Sequence, residues 1–278
     1  MQHLEDQWTS ADGLPLYAQR WAPEGEPKAV VCLIHGLGDH SGRYRHVAEA
    51  LVRADYALLT FDLRGHGRSG GPRGHWQSFD LVMNDIGLLL TEAARRFPNR
   101  PRVLYGHSLG GSLALNYVLR RQPKLAGVIA TSPGLRPGFE PPAWKVGMAR
   151  TLRRVWPRLT LSNELETAAM SREAAVVAAY RADPLNHDRL SAAAGVDILD
   201  SGAWALAHAA EFPLPLLLMH GAADRVTSVE ATREFAAQAG ANCTLKIWDG
   251  LYHEIHNEPE QGAVLAYLIA WLDGLSTR

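Results

Sequence analysis

Short apolar runs alternate along this chain with longer segments in which apolar residues recur every three or four positions. The apolar runs contain many β-branched residues and are short, which is typical of strands buried on both faces of a sheet. They occupy residues 29–34, 56–61, 101–105, 125–130, 214–219 and 243–248. The periodic segments predict helices over residues 42–54, 78–97, 109–122, 229–238 and 259–272. This alternation predicts an α/β protein whose parallel sheet carries helices on both faces.

Two segments depart from the alternation. An Asp-Gly pair at residues 12–13 predicts a hairpin turn between strands at 7–10 and 14–21. Between residues 131 and 212 the pattern gives helical signals only, interrupted by six prolines. Because open α/β sheets bind ligands at the carboxyl ends of their strands, we interpret this stretch as an inserted helical lid. The predicted core is then 1–132 with 213–278, and the predicted lid is 133–212.

Composition and charge argue against several classes of protein. Of 278 residues, 47% are hydrophobic and 21% are charged, which excludes disorder as the main state. Lys and Arg number 28 against 29 Asp and Glu, and this balance argues against a nucleic-acid binder. The longest apolar run, 263–272, is shorter than the roughly 18 residues of a membrane span. With a polar, acidic stretch at 1–11 and only two cysteines, we expect no signal peptide and a cytoplasmic location.

The strongest chemical motif is Gly-His-Ser-Leu-Gly at residues 106–110, between a predicted strand and a predicted helix. In this setting the G-x-S-x-G pattern is typical of a nucleophilic serine on a sharp, strained turn. The turn places the Ser108 hydroxyl at a helix N-terminus, where amide N–H groups favour developing negative charge. An ordinary glycine turn is the alternative, and the strand–turn–helix setting favours Ser108 as the nucleophile.

A nucleophilic serine needs a base and an orienting carboxylate, and in this arrangement the chain order is Ser, Asp or Glu, His. Asp224 follows the fifth apolar run and His253 follows the sixth, so both belong to loops at the carboxyl ends of strands. Asp249 is an alternative acid at the edge of its own strand. His256 is an alternative base about one helical turn further along. The spacing favours Asp224 and His253.

Two backbone amides are candidates for the oxyanion hole, which needs two convergent N–H donors. One is the amide of Leu109, directly after the nucleophile. The other is the amide of Leu37, in the glycine-rich loop 35–40 that follows the first apolar run. The alternative for that loop is an ordinary glycine-rich turn.

The charged segment at 62–69 has some features of a phosphate loop, but it lacks the G-x-x-x-x-G-K-[ST] pattern, so we interpret it as a structural turn. No cluster of His, Cys and carboxylates has metal-ligand spacing, and no G-x-G-x-x-G opens a helix after a strand. We therefore expect neither a metal nor a cofactor.

Several of these motifs together resemble the α/β-hydrolase family, and within it the monoacylglycerol lipase and lysophospholipase branch. They are H-G-L-G-D-H-S-G-R-Y at 35–44, F-D-L-R-G-H-G-R-S at 61–69, G-H-S-L-G-G at 106–111, D-P-L at 183–185, G-A-A-D-R-V at 221–226 and Y-H-E-I-H-N-E at 252–258. They follow one another over nearly the whole chain. The resemblance implies an α/β-hydrolase fold with a mostly parallel central sheet, flanking helices and an inserted helical lid.

The resemblance also implies roles for single residues. It implies a catalytic triad of Ser108, Asp224 and His253, and oxyanion donors at Leu37 and Leu109. It implies a polar pocket for a glycerol headgroup, lined by Arg43, His107 and Tyr180. The alternative for Arg43 is a surface cation at a helix start.

One helix of the predicted lid is amphipathic. Trp144, Met148, Leu152, Val155 and Trp156 form one apolar stripe at helical spacing, and five basic residues surround it. This pattern fits a lid helix packed on the body, and it also fits a basic amphipathic helix in transient contact with a lipid surface. In the same segment we expect Asp197 and Asp200 to be exposed to solvent.

These observations predict a serine hydrolase that cleaves carboxylic esters, most simply a monoacylglycerol, through an acyl-enzyme. A lysophospholipase or a general short-chain carboxylesterase is the alternative within this class. A non-catalytic binding module on the same fold is the alternative outside it. The expected partner is a lipid-like ester substrate, with no nucleic acid, and the sequence indicates no oligomeric state.

Overall fold

All six predicted apolar runs form strands of one eight-stranded sheet in the computed structural model, which describes residues 1–275. The strands are β1 (Gln2–Thr9), β2 (Pro15–Ala22), β3 (Val30–Ile34), β4 (Ala57–Phe61), β5 (Arg102–His107), β6 (Gly127–Thr131), β7 (Thr160–Ser162), β8 (Arg189–Ser191), β9 (Leu216–Gly221) and β10 (Cys243–Trp248). The sheet has the order β1-β2-β4-β3-β5-β6-β9-β10, and β7 pairs with β8 elsewhere. Within the eight-stranded sheet, every pairing along the order β4-β3-β5-β6-β9-β10 is parallel. The predicted fold class is confirmed.

The five helices predicted with bounds agree with the structure to within a few residues. The helices of the described residues are α1 (Arg45–Arg53), α2 (Phe79–Arg96), α3 (Leu109–Arg121), α4 (Ala143–Val155), α5 (Ala174–Ala182), α6 (Ala192–Ala207), α7 (Val229–Ala239) and α8 (Gln261–Leu275). The five predicted ones are α1, α2, α3, α7 and α8. Several begin at a serine whose hydroxyl accepts a backbone N–H of the first turn, as Ser78 does for α2 and Ser228 for α7. The first predicted helix, 42–54, begins later because residues 41–44 form a 3₁₀ turn.

The core lies in two layers, one on each face of the sheet. In β3, Val30, Cys32 and Ile34 belong to the core layer that contains α2, α3 and α7, while Val31 and Leu33 belong to the layer that contains α1 and α8. Side chains of a strand point alternately to opposite faces, so a strand covered on both sides must be apolar at every position. This explains why the central strands appear in the sequence as continuous apolar runs.

The first strand is longer than the hydrophobic pattern predicted. It begins at Gln2 and pairs antiparallel with β2 from Gln2↔Ala22 to Thr9↔Pro15. Most side chains of residues 2–6 are exposed, so this part of the strand carries no apolar alternation. An edge strand needs only the backbone hydrogen bonds of its single neighbour, and such bonds leave no trace in the sequence.

The predicted lid segment, 133–212, contains α4, α5 and α6 together with the short strands β7 and β8. The two strands pair antiparallel, from Thr160↔Ser191 to Ser162↔Arg189. The hydrophobic pattern of this segment indicated helices only, so this pair of strands was not predicted. Strands of three residues are too short to produce a period of two.

Asp197 lies buried on α6, so the expectation that it is exposed to solvent is wrong. Its side chain accepts a hydrogen bond of 2.8 Å from Nε1 of the buried Trp76 and forms an ion pair of 2.6 Å with Arg153. Burial raises the pKa of this carboxyl. Asp200, one helical turn further, is exposed as expected. Asp197 therefore joins α6 to the segment that precedes α2.

Two charges of the segment 62–69, those of Asp62 and Arg64, face inwards. Asp62 is fully buried and accepts hydrogen bonds from the amide and the hydroxyl of Ser41. Arg64 is 1% exposed and pairs with Asp85 of α2 at 2.6 Å and with Asp12 of the hairpin turn at 3.0 Å. Asp62 and Arg64 thus have their partners within the protein, which agrees with the interpretation of this segment as a structural turn.

We expect Arg64→Met to lower the free energy of unfolding by roughly 3–5 kcal/mol, because it leaves Asp85 buried without its partner. Arg68→Met is the matched control, since Arg68 is 52% exposed and its ion pair with Glu5 is exposed as well. For that variant we expect a loss below about 1 kcal/mol. Urea unfolding followed by circular dichroism measures both, and equal losses would contradict this account.

Candidate active site

Ser108 alone joins β5 to α3. Its backbone has φ 55° and ψ −119°, a strained conformation for a residue with a side chain. A Cβ at Gly106 would overlap the carbonyl oxygen of Gly110, and a Cβ at Gly110 would overlap that of Ile34. Both glycines of the motif are therefore required by the close approach of the backbone. The tight turn holds the serine side chain at the carboxyl end of the sheet.

Three predicted side chains meet at this edge of the sheet. Oγ of Ser108 lies 2.9 Å from Nε2 of His253, and Nδ1 of His253 lies 2.7 Å from Oδ2 of Asp224. The three residues follow β5, β9 and β10, whose carboxyl ends point the same way because the strands are parallel. The alternatives lie elsewhere: Asp249 is exposed, and the ring of His256 stacks on Tyr44.

Asp224 is held as an ionised acceptor. Oδ1 accepts the amides of Val226 and Thr227, and Oδ2 accepts the Thr227 hydroxyl and lies 2.9 Å from Nε2 of His220. Burial alone would raise the pKa of this carboxyl, but the charge of His253 and the hydrogen bonds from both histidines hold its pKa well below the usual range. Asp224 is therefore a permanent hydrogen-bond acceptor, and it holds the His253 ring in one orientation.

His253 is buried as well. Burial lowers its pKa, but the charge of Asp224 and the hydrogen bond to it raise the pKa more, so the result lies above the usual histidine value. The backbone of the loop is anchored too, because the carbonyl of His253 accepts the Ser132 hydroxyl at 2.7 Å. With Nδ1–H donating to Asp224, Nε2 is free to accept the proton of the Ser108 hydroxyl.

One predicted oxyanion donor directly follows the nucleophile, and the other belongs to a loop that passes near it. Leu109 is the first residue of α3, so its N–H has no partner within the helix. The loop that carries Leu37 passes close to Ser108: a Cβ on Gly36 would lie 3.3 Å from the Ser108 Cβ. The convergence of the two amides on one substrate oxygen stays a prediction.

Of the three residues predicted for a headgroup pocket, His107 contacts His253, while Arg43 and Tyr180 contact each other. His107 is buried with its ring centroid 4.9 Å from that of His253, and burial together with the charge of His253 holds the pKa of His107 well below its usual value. The guanidinium of Arg43 lies over the ring of Tyr180, with Cζ 4.7 Å from the centroid. The Tyr180 hydroxyl donates to the carbonyl of Gly38 at 3.1 Å. Contact of these residues with a substrate stays a prediction.

Two buried glutamates in the loop of His253 were not predicted from the sequence. Glu254 is 3% exposed and receives two hydrogen bonds from Arg43, at 2.7 and 2.8 Å. Glu258 is fully buried and accepts the amide of Tyr252 at 2.8 Å and Nε of Arg172 at 2.9 Å. The loop has no periodic pattern, so nothing in the sequence distinguishes these carboxylates from exposed ones.

Across residues 1–275, no three or more His, Cys, Asp or Glu side chains are grouped so that they could hold a metal ion. The chemistry that the described residues themselves supply is a hydroxyl activated by an imidazole and a carboxylate.

Comparisons with known proteins show the family of this chain. The family model described as serine aminopeptidase, S33 matches residues 25–260. A monoacylglycerol lipase of Mycolicibacterium smegmatis is 34% identical over 270 residues, which cover 96% of each protein. An uncharacterized abhydrolase domain-containing protein of Dictyostelium discoideum is 35% identical over 266 residues, and there the chain spans only 28% of the relative's length.

A solved structure is similar in both sequence and fold. The crystal structure of Paleococcus ferrophilus monoacylglycerol lipase superposes with a TM-score of 0.85 at 35% identity, covering 94% of this chain and 98% of that one. The resemblance predicted from the motifs is thus confirmed. The chain belongs to the α/β-hydrolase family, in the branch of serine ester hydrolases that includes the monoacylglycerol lipases.

Proposed function

We propose that the protein hydrolyses monoacylglycerols to glycerol and free fatty acids, with Ser108, His253 and Asp224 as its catalytic triad. The observation that carries this proposal is the continuous hydrogen-bonded chain from Oγ of Ser108 through both ring nitrogens of His253 to Oδ2 of Asp224. The similarity to monoacylglycerol lipases over nearly the whole chain supports the choice of substrate.

The reaction begins when Oγ of Ser108 attacks the ester carbonyl and Nε2 of His253 takes its proton. Asp224 keeps the imidazole in the required tautomer and stabilises its charged form. The amides of Leu37 and Leu109 donate to the oxyanion of the tetrahedral intermediate, each contributing roughly 3 kcal/mol. His253 then returns the proton to the departing glycerol oxygen. Water attacks the acyl-enzyme with the same base and releases the fatty acid.

A lipid surface is the proposed source of the substrate. On α4 and the residue after it, Trp144, Met148, Val155 and Trp156 are 66%, 42%, 73% and 60% exposed, and α4 has no buried residue. Exposed aromatic and aliphatic side chains beside arginines favour insertion at the interface of an anionic bilayer. Within residues 1–275 no helix has the length and apolarity of a membrane span. We propose peripheral, reversible contact through α4.

Replacement of the nucleophile tests the triad. We expect Ser108→Ala to lower kcat by a factor on the order of 10⁴ to 10⁶, because no other hydroxyl takes its place. Hydrolysis is followed by the release of fatty acid from a monoacylglycerol. Labelling by a fluorophosphonate probe should be lost in the same variant. Turnover at the wild-type rate would remove the assignment.

The pH dependence follows from the raised pKa of His253. Only the neutral imidazole accepts a proton, so kcat/KM should rise with pH through a pKa above the usual value of about 6.5. In Asp224→Asn the carboxylate that raises this pKa is gone. The acidic limb of the pH profile of kcat/KM should therefore move to lower pH. In that variant kcat should also fall on the order of 10⁴-fold. An unchanged limb in an active variant would contradict the account of Asp224.

A substrate series tests the headgroup. We expect monoacylglycerols to be hydrolysed with a higher kcat/KM than lysophosphatidylcholine or short-chain alkyl esters of matched acyl length. A preference for lysophosphatidylcholine would establish the lysophospholipase alternative. Equal values for all three would indicate a general carboxylesterase.

Sedimentation with anionic liposomes tests the membrane contact. We expect the wild-type protein to sediment with the liposomes, and the Trp144→Ser/Trp156→Ser variant to remain in the supernatant. Leu4→Ser is the matched control, because Leu4 is 45% exposed on β1, at the far edge of the sheet. Equal sedimentation of all three proteins, or of none, would exclude α4 as the contact.

A further inference from the structure

Arg43 lies between two loops that meet at the nucleophile. Its Nη1 donates to Oε1 of Glu254 at 2.8 Å and to Oδ1 of Asp39 at 3.0 Å, and its Nη2 donates to Oε2 of Glu254 at 2.7 Å. The Arg43 side chain is 11% exposed, and the two carboxylates are 4% and 5% exposed. Three of the five N–H groups of the guanidinium are thus directed at buried carboxylates.

Further hydrogen bonds hold both carboxylates in place. Asp39 accepts the Tyr44 hydroxyl at 2.9 Å and the amide of His40 at 2.7 Å. Glu254 accepts Nδ2 of Asn257 at 2.8 Å. Although burial opposes ionisation, the charge of Arg43 holds the pKa of Asp39 well below its usual value. The cluster is therefore a fixed set of one cation and two anions. Its net negative charge leaves no uncompensated cation for a substrate.

Both carboxylates belong to loops that carry proposed catalytic groups. Asp39 lies two residues after Leu37, and Glu254 is the residue next to His253. The lid segment closes over the same point, because the ring of Tyr180 covers the guanidinium and its hydroxyl binds the carbonyl of Gly38. One guanidinium thus connects the loop of the oxyanion donor, the loop of the base and the lid.

We propose that Arg43 is a positioning residue: through Asp39 and Glu254 it fixes the distance between the Leu37 amide and the His253 imidazole. The planar guanidinium suits this task, since it binds Glu254 with two parallel hydrogen bonds and sets orientation as well as distance. This role differs from the headgroup contact that the family resemblance implies for Arg43. The inference rests on the proposed function only in taking His253 as the base and Leu37 as an oxyanion donor.

The two roles have different consequences for different esters. The carbonyl oxygen and the proton on Oγ are common to every ester, so a positioning residue affects kcat for all of them. A headgroup contact affects only substrates that carry the headgroup. A monoacylglycerol and a p-nitrophenyl ester of the same acyl chain therefore distinguish the two roles.

The experiment compares wild type, Arg43→Met and Glu254→Gln on both substrates. For Arg43→Met we expect kcat to fall on the order of 10²-fold on both esters, with KM little changed, because a small misplacement of reacting groups has a cost of this size. We expect a smaller loss of kcat for Glu254→Gln, again equal on both esters. A loss confined to the monoacylglycerol, or expressed in KM alone, would overturn the proposal.

Arg45→Met is the control, because Arg45 is 74% exposed and pairs with Glu49 on the surface of α1. We expect it to have wild-type kcat on both esters. Thermal unfolding and fluorophosphonate titration give the folded and active fraction of each variant.

A double variant keeps the proposal testable if Arg43→Met does not fold. The double variant Arg43→Met/Glu254→Gln removes the charge of Glu254 together with that of Arg43. Glu254 is then not left as a buried carboxylate without its cation. Because the two residues act as one unit, we expect the double variant to be no slower than the slower single variant. Wild-type kcat in the folded double variant would overturn the proposal.

The p-nitrophenyl ester also separates this inference from the proposed substrate. If the wild-type protein hydrolyses that ester and no monoacylglycerol, the proposed substrate fails. The effect of Arg43→Met on the p-nitrophenyl ester would still decide whether Arg43 positions the two loops.

Discussion

The hydrogen bond between Nδ1 of His253 and Oδ2 of Asp224 joins two loops that lie 29 residues apart in the chain. It decides which ring nitrogen of His253 carries the proton, and so which nitrogen faces the hydroxyl of Ser108. It also sets the charge balance of the site, because the carboxylate raises the pKa of the imidazole against the effect of burial. The other groups around the site hold the His253 and Asp224 side chains in the positions that this bond requires.

The sheet makes that bond possible. Parallel strands present their carboxyl ends at one edge, so the loops after β3, β5, β9 and β10 converge there without long connections. The central strands must be apolar at every position because helices cover both faces. The chemistry is therefore confined to the loops, where the backbone conformation is free to vary.

Ion pairs that each contain a fully buried carboxylate hold segments around the sheet in one arrangement. Arg64 joins the hairpin turn to α2, and Arg172 joins the end of the His253 loop to the start of α5 through Glu258. Each pair crosses between segments that are distant in sequence. Removing one partner of such a pair leaves a buried charge, so each pair penalises alternative loop positions more than it adds to overall stability.

The amino-acid pattern alone specified the sheet strands, most of the helices and the elbow at Ser108, because burial on two faces and a tight turn both demand particular residues at fixed spacing. It also predicted Ser108, Asp224 and His253, whose order and position after strands are constrained by the fold. It did not predict the pairing of β7 with β8, the polar start of β1 or the burial of Asp197. Nor did it predict that Arg43 faces two carboxylates. These features depend on contacts that exist only in the folded protein, because a charged or polar residue looks the same in a sequence whether its partner is water or a side chain from a distant segment.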